Sequence, residues 1–422
     1  MNGVFMSIDA LQSIFGVFVL IAIAMAFSKN RKAINWRTVS LAFLLQIVLA
    51  GFVLYIPFGK DVLASISNGV QGVIDSAQAG INFLFGGLGT DKMFGNGVGF
   101  VFAVRVLPVI IFFSSLIAVL YYLGIMQWVV KIIGGGMQKL LHTSKPESLS
   151  ATANIFVGQT EAPLIIKPYI SKMSQSELFA VMVGGLASVA GSILAGYAGL
   201  GVELKYLIAA SFMAAPGGLL MAKLILPETS SIEELDQDQE QIAFDSDEEQ
   251  AANVIDAAAS GAASGLMLAA NVGAMLLAFI GLIALINVII GGVTGWFGLE
   301  GITLEWMLGY IFAPLAWIIG VPSAEMLQAG SFIGQKLVVN EFVAYVNFVE
   351  VKETLSAQTQ VIITFALCGF ANLSSIAILL GGLGSMAPTR RHDIAKLGLH
   401  AVLAATLANL MSAAIAGVFI SL

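Results

Sequence analysis

Two short stretches, Gly158-Gln159-Thr160-Glu161 and Val339-Asn340-Glu341-Phe342, decide how the 422-residue chain reads. Each sets a carboxylate in the middle of a largely apolar segment, roughly 147–173 and 323–350. Each is followed by an apolar run interrupted by small and polar residues. After the first comes Gly185-Leu186-Ala187-Ser188-Val189-Ala190-Gly191-Ser192, and after the second Gly369-Phe370-Ala371-Asn372-Leu373-Ser374-Ser375. The intervals from glutamate to leading glycine are 24 and 28 residues, and Ala209-Ala210-Ser211 and Ala404-Ala405-Thr406 close the two halves. The chain therefore contains an internal repeat with an acid in each copy.

Around this repeat the composition is that of a membrane protein. Hydrophobic residues make up 58% of the chain and charged residues only 11%, with a mean hydropathy of +0.92. Soluble domains carry about a quarter charged residues. A soluble enzyme, a secreted scaffold and a nucleic-acid binder are excluded, so no nucleic-acid partner is expected. The apolar runs are continuous and about 20 residues long, the length of a bilayer-spanning helix, whereas barrel strands alternate apolar and polar residues. The single Cys368 excludes an intrachain disulfide framework, and His142, His392 and His400 are too scattered for a metal site.

The net charge of −7 belongs to one segment. Eleven of the 26 acidic residues lie between Glu228 and Asp256, with no Lys or Arg among them. One-signed charge and low hydrophobicity predict a mobile loop there. The first apolar run, Leu11 to Phe27, has no basic stretch before it and is followed by Lys29, Arg31, Lys32 and Arg37. That reads as a retained span with its N-terminus outside. Further spans fall at about 39–57, from 97 towards Lys131, and at 177–202, 206–226, 262–293, 358–383 and 394–421. Residues 58–96, broken by Gly and polar residues, are expected along the interface or packed inside. With this scheme 13 basic residues lie inside and four outside (Lys60, Lys92, Lys205, Lys352), leaving Arg105 and Lys336 within apolar stretches. The expectation is eight full spans, two re-entrant hairpins and both termini outside. Residues 304–321 then lie flat or pair up, although their hydropathy alone suggests a span.

The first half starts inside and the second outside, so the repeats have inverted topology, as in many secondary transporters. Gly, Ser and Asn within a span predict local unwinding, which membrane depth tolerates only where the backbone is buried in protein or lines a wet cavity. For any one Gly or Ser the ordinary alternative is helix packing. The carboxylates are different, because a charge at the bilayer centre costs about 2.5 kcal/mol or more and is functional by default. The structural alternative for Glu341 is an ion pair with Lys336; Arg105 reads as structural. Gln159, Thr160 and Glu161 supply an amide, a hydroxyl and a carboxylate, and Asn340, Glu341, Asn372 and Ser375 a second set. This suits a neutral, polyhydroxylated or amide-bearing solute, since a carboxylate accepts bonds from two vicinal hydroxyls. A phosphate or dicarboxylate would want Arg or Lys. Phe370 could pack on a ring or belong to the core. Asn154 and Ser188 offer a weakly charged oxygen set that suits Na⁺ better than Ca²⁺ or Mg²⁺.

A membrane enzyme is the main rival class, but no His-Glu-x-x-His, Gly-x-Ser-x-Gly or Gly-x-Gly-Asp occurs, and Gly87-Leu88-Gly89-Thr90-Asp91 misses the last by one insertion. A channel would show a repeated filter or charged ring, and neither is present.

Gly158-Gln159-Thr160-Glu161-Ala162-Pro163 and Asn340-Glu341-Phe342-Val343-Ala344-Tyr345 resemble the two hairpin signatures of concentrative nucleoside transporters. Phe365 to Ser375 resembles the span after the second hairpin, and the likeness to bacterial, sodium-coupled members extends over essentially the whole chain. The resemblance implies an all-α, elevator-type symporter that imports nucleosides such as uridine with Na⁺ and no organic cofactor. It implies a homotrimer in the bacterial inner membrane, embedded in lipid. Scaffold parts would be 1–146 and 257–321, and the transport domain 147–227 and 322–422, with the acidic loop 228–256 between the halves. It assigns the nucleobase to Gln159, Thr160 and Glu161, with Gly158 nearby and Ile193 packing on the base. It assigns the ribose to Glu341, Asn372 and Ser375, with Phe370 alongside. Sodium is assigned to the side chains of Asn154 and Ser188 and the carbonyls of Val157, Ser188 and Val189. A sodium-coupled carrier of another small polar solute, such as a nucleobase or sugar, is the alternative.

Overall fold

A computed structural model describes residues 8–89, 100–230 and 251–422. The described chain is helical throughout. In order, the helices are α1 (Ile8–Ala26), α2 (Trp36–Leu54), α3 (Pro57–Phe85), α4 (Phe102–Arg105), α5 (Leu107–Tyr122), α6 (Ile125–Leu141), α7 (Lys145–Ala153), α8 (Lys167–Ile170) and α9 (Gln175–Ala187). There follow α10 (Gly191–Gly199), α11 (Leu204–Ile225), α12 (Val254–Gly295), α13 (Leu304–Ile318), α14 (Met326–Val338), α15 (Glu341–Val351), α16 (Ala357–Leu367), α17 (Ser375–Met386) and α18 (Arg391–Ser421). Most of the expected acidic loop, residues 231–250, lies outside the described residues, as do Thr90-Asp91 and the expected start of the third span.

Among the described residues, six stretches are long and apolar enough to cross a membrane: Trp36–Leu54, Phe102–Tyr122, Gln175–Gly199, Leu204–Ile225, Val254–Gly295 and Pro388–Ser421. The other two expected spans correspond to the shorter apolar helices α1 and the α16–α17 pair. Burial sorts them into two classes. α9, α10, α11 and most of α18 are enclosed all round, whereas α2, α5 and α12 keep broad apolar faces uncovered by the rest of the chain. On α12, Leu277 is 81% exposed, and just past its end Trp296 is 85% exposed. Such faces suit lipid or another apolar surface rather than water. α12 extends about 63 Å at 1.5 Å per residue, twice the hydrocarbon thickness. It packs along α5, where Gly261 and Gly265 let the backbones meet: a Cβ at Gly265 would stand 2.8 Å from Cα of Ile111. This is the small-xxx-small spacing of membrane helix pairs.

The structure adds detail to two expectations. Residues 57–85 form one continuous helix although Gly and polar residues interrupt its apolar pattern. Its glycines Gly69, Gly72 and Gly80 have nothing within 4 Å of a Cβ position, while Leu63, Ile74, Ala77 and Ile81 are buried at helical spacing. The small and polar residues therefore occupy an open face instead of interrupting the backbone. The apolar run at 304–318 packs lengthwise against α14.

Each half places a helical hairpin before a broken helix and a long helix. In the first half the hairpin is α7 and α8 joined by the tip 154–161 and a 3-10 turn, the broken helix is α9–α10, and the long helix is α11. In the second half these are α14–α15, α16–α17 and α18. α7 and α9 both begin with a capping box, Ser144 with Glu147 and Ser174 with Glu177. Lys223 is buried and forms an ion pair with Glu147 while donating to Ser176 Oγ at 2.9 Å, so this charge is held inside the fold. Contacts also group the basic residues by end. Lys29 N–H donates to Ile225 O at 2.9 Å and Arg390 Nη1 to Met173 O at 2.6 Å at one end, whereas Lys352 Nζ donates to Gly201 O at 2.8 Å at the other.

Candidate functional site

The site grows from the two helix breaks. α9 stops at Ala187, Ser188 turns extended (φ −104°, ψ 175°), and its Oγ donates back to Gly184 O at 2.8 Å, closing the helix end. Gly191 N–H then donates to Phe156 O at 3.0 Å, fastening the restart of the helix to the tip of the first hairpin. In the second break Asn372 Oδ1 accepts from Ser374 Oγ, Ser375 N–H and Ser375 Oγ at 2.7–3.0 Å and so starts α17. The breaks meet. Phe370 N–H donates to Ser188 O at 3.2 Å, and Asn409 Nδ2 of α18 donates to Ala187 O at 2.7 Å and Cys368 O at 3.0 Å. Gly369 permits this approach, since a Cβ there would lie 2.7 Å from Ala187 O.

Beside this junction lies a cavity of about 110 Å³. The structure brings all nine residues expected to hold substrate to its wall: Gly158, Gln159, Thr160, Glu161, Ile193, Glu341, Phe370, Asn372 and Ser375. Asn340 and Ser374 add further polar groups to the lining, Phe342 and Ile378 add apolar ones, and Leu268, Val272 and Met275 of α12 contribute an apolar wall. That wall is beyond reach of the repeat pattern, because α12 belongs to neither copy.

The two carboxylates differ in setting. Glu341 is the first residue of α15, only 3% exposed, and Asn340 caps that helix by accepting from Val343 N–H at 3.0 Å. A helix N-terminus favours negative charge. Glu341 Oε1 accepts from Tyr197 Oη at 3.1 Å and Oε2 from Asn372 Nδ2 at 2.9 Å. Tyr197 is itself clamped between Tyr345 and Phe342, with ring centroids 4.5 and 4.7 Å away. These two donors hold the carboxylate in one orientation, and its remaining lone pairs serve the cavity. Lys336 is not its direct partner: the ammonium donates to Ala366 O and Asn409 Oδ1, each at 2.7 Å. The expected alternative of a direct Glu341–Lys336 ion pair is therefore not the arrangement found. Glu161 stands at the open side, where Oε2 accepts from Gly158 N–H at 2.5 Å and shapes the hairpin tip. Gln159 is buried and its Oε1 has no hydrogen-bond partner. Tyr197 was not among the expected site residues; its spacing of four from Ile193, one helical turn on the same face, was the available signal.

The expected cation ligands lie together on the other side of the tip. Asn154 ends α7 and donates through Nδ2 to Ser150 O at 2.9 Å, leaving Oδ1 buried without a partner. A Cβ on Gly185 of α9 would be 3.9 Å from that oxygen. Val157 and Val189 are buried in non-helical backbone, and among the described residues no backbone N–H donates to their carbonyls. An orphaned amide oxygen and free carbonyls near the C-terminal end of α9 suit a monovalent cation. No cluster of three His, Cys, Asp or Glu that could hold a metal occurs among the described residues.

Comparison with known proteins agrees with this chemistry. Residues 206–417 match the family model for the C-terminus of Na⁺ dependent nucleoside transporters, 15–88 the model for their N-terminus, and 103–203 a model described as nucleoside recognition. The chain is 58% identical over 420 residues to an uncharacterized transporter of Haemophilus influenzae, covering 98% of this chain and 99% of that protein. It is 50% identical to the nucleoside permease NupC of Helicobacter pylori, covering 99% of both. It is 37% identical to mouse sodium/nucleoside cotransporter 1, covering 97% of this chain and 64% of that longer protein. Its fold superposes on the inward-facing, substrate-bound structure of CNTnw with a TM-score of 0.94, at 59% identity and 98% coverage of both chains. These relatives are transporters or permeases, not enzymes. The chain belongs to the Na⁺ dependent nucleoside transporter family, the concentrative nucleoside transporters, with sodium as the coupling ion.

Proposed function

We propose that the protein imports nucleosides, uridine among them, across the inner membrane of a bacterium, driven by the sodium gradient. The observation that carries this reading is the single cavity into which both repeats send their polar residues. Its chemistry has two ends. Glu341, oriented by Tyr197 and Asn372, accepts the ribose hydroxyls, with Ser375 and Phe370 beside the sugar. Gln159, Thr160 and Glu161 offer donors and acceptors to the flat base, and Ile193 packs against it.

Sodium binds Asn154 Oδ1, Ser188 and the carbonyls of Val157, Ser188 and Val189. It joins the hairpin tip to the first break, and the hydrogen bond from Gly191 to Phe156 spans the same two elements. Ion binding thereby orders the tip that also carries Gln159, Thr160 and Glu161, so sodium and nucleoside strengthen each other by the same factor. Eight spans, two re-entrant hairpins and termini outside complete the topology, with scaffold 1–146 and 257–321 around a transport domain of 147–227 and 322–422. The transport domain moves as an elevator within each protomer of a trimer.

Uptake of radiolabelled uridine into proteoliposomes, with competition by ribose, uracil and inosine, tests the reading. Nucleosides should compete and free ribose and uracil should not. Competition by uracil or ribose as strong as by inosine would instead favour a carrier of nucleobases or sugars.

A further inference from the structure

Lys336 is 3% exposed, lies in the last turn of α14, and is used by neither the substrate cavity nor the sodium ligands. Its position repeats that of Asn154. Each stands at the inner end of its hairpin's first arm, and each faces the last turn of the first segment of a broken helix. Asn154 approaches Gly184 and Gly185 of α9, and Lys336 Nζ lies 2.7 Å from Ala366 O of α16. Both half-helices point their negative C-terminal dipole at this place. In the first repeat the side chain is a neutral amide with an unpartnered oxygen. In the second it is an ammonium held by one carbonyl and one amide oxygen, Asn409 Oδ1, at 2.7 Å each.

We propose that Lys336 is the built-in cation of the second repeat, its ammonium standing at the place that sodium takes in the first. The inference rests on the sodium reading above. It explains why a lysine is buried without a carboxylate at contact distance among the described residues, since the oxygens around it are those a small cation would use. It also gives Asn409 its role. The amide accepts from Lys336 and donates to Ala187 O and Cys368 O, so the fixed charge holds both breaks in register while Glu341 is left to the ligand. The second repeat then needs no ion of its own.

The test is thermal unfolding of the purified full-length protein in choline, sodium and methylammonium chloride, for the wild type, Lys336→Ala and Lys336→Met. The wild type should gain stability from sodium with a Hill slope of about one. Lys336→Ala should lose stability in choline and recover it on adding methylammonium or sodium, with the sodium slope rising towards about two. Lys336→Met, which fills the space without charge, should be destabilised equally in all three salts. If Lys336→Ala assembles only when purified in sodium or methylammonium, that too supports the inference. Lys336→Met as stable as the wild type in choline would overturn it, and so would Lys336→Ala that no small cation restores. A wild-type midpoint indifferent to sodium would overturn the first-repeat sodium site, and that result is separate from any given by the Lys336 variants.

Discussion

Glu341→Gln tests the sugar end of the site. The side chain keeps its length, but one carboxylate oxygen becomes an NH₂ group. Oε2 accepts from Asn372 Nδ2 at 2.9 Å and Oε1 from Tyr197 Oη at 3.1 Å. An amide cannot accept at both atoms. With its nitrogen towards Asn372 two donors face each other; with its nitrogen towards Tyr197 the phenol must turn to become the acceptor. In either case the charge that strengthens bonds to the ribose hydroxyls is gone. Truncating one partner of a buried, hydrogen-bonded charge costs about 2–5 kcal/mol. Because glutamine keeps part of the geometry, the lower part of that range applies, about 2–4 kcal/mol, or roughly 30- to 700-fold in Kd for uridine. Calorimetric titration of the detergent-solubilised protein in saturating sodium measures it, with size-exclusion profiles checking assembly. A second ligand sharpens the result. 2′-Deoxyuridine should bind the wild type more weakly than uridine, and the gap should shrink in Glu341→Gln because the two losses share one contact. A Kd within threefold of the wild type in an assembled variant would remove Glu341 from ribose recognition.

Three further outcomes are expected. Tyr197→Phe removes one donor that orients Glu341 and should weaken uridine binding about tenfold, the scale of one hydrogen bond to a charged group; unchanged titration curves would show the phenol to be mere packing. Asn154→Ala deletes the orphaned oxygen beside the first break, so the ratio of uridine Kd without and with sodium should fall from about fivefold or more towards unity; a preserved ratio would place the ion elsewhere. Gly369→Ala pushes a Cβ to 2.7 Å from Ala187 O, and the shift of the two breaks should cost about 1–3 kcal/mol, read as a lower unfolding midpoint that sodium no longer raises as far.

The site's polar residues were legible in the sequence because membrane depth makes them rare. In a chain with 11% charged residues, Glu161 and Glu341 stand out at once, and the repeat around them leads to Ser188, Asn372 and Ser375. What spacing could not show is which groups touch across the repeat. Tyr197 reads as one more aromatic in an apolar helix, yet its hydroxyl fixes Glu341 across 144 positions of chain. Asn409 lies past the last recognisable repeat element and still joins both breaks. Lys336 is near Glu341 in sequence, but its tether ends at Ala366 and Asn409. The continuity of α3 was hidden for a different reason. Small and polar residues read as a broken segment when the helix face they share is uncovered. Local composition found the chemistry; contacts distant in sequence supply the positioning.

The central claim is that a sodium gradient drives nucleoside accumulation through this cavity. The most direct measurement is uptake of radiolabelled uridine by proteoliposomes containing the purified protein, with sodium outside and either choline or sodium inside. An inward sodium gradient should concentrate uridine above its external level, and equal sodium on both sides should abolish the excess. Uridine that merely equilibrates whatever the sodium gradient, in liposomes shown to contain assembled protein, would contradict it.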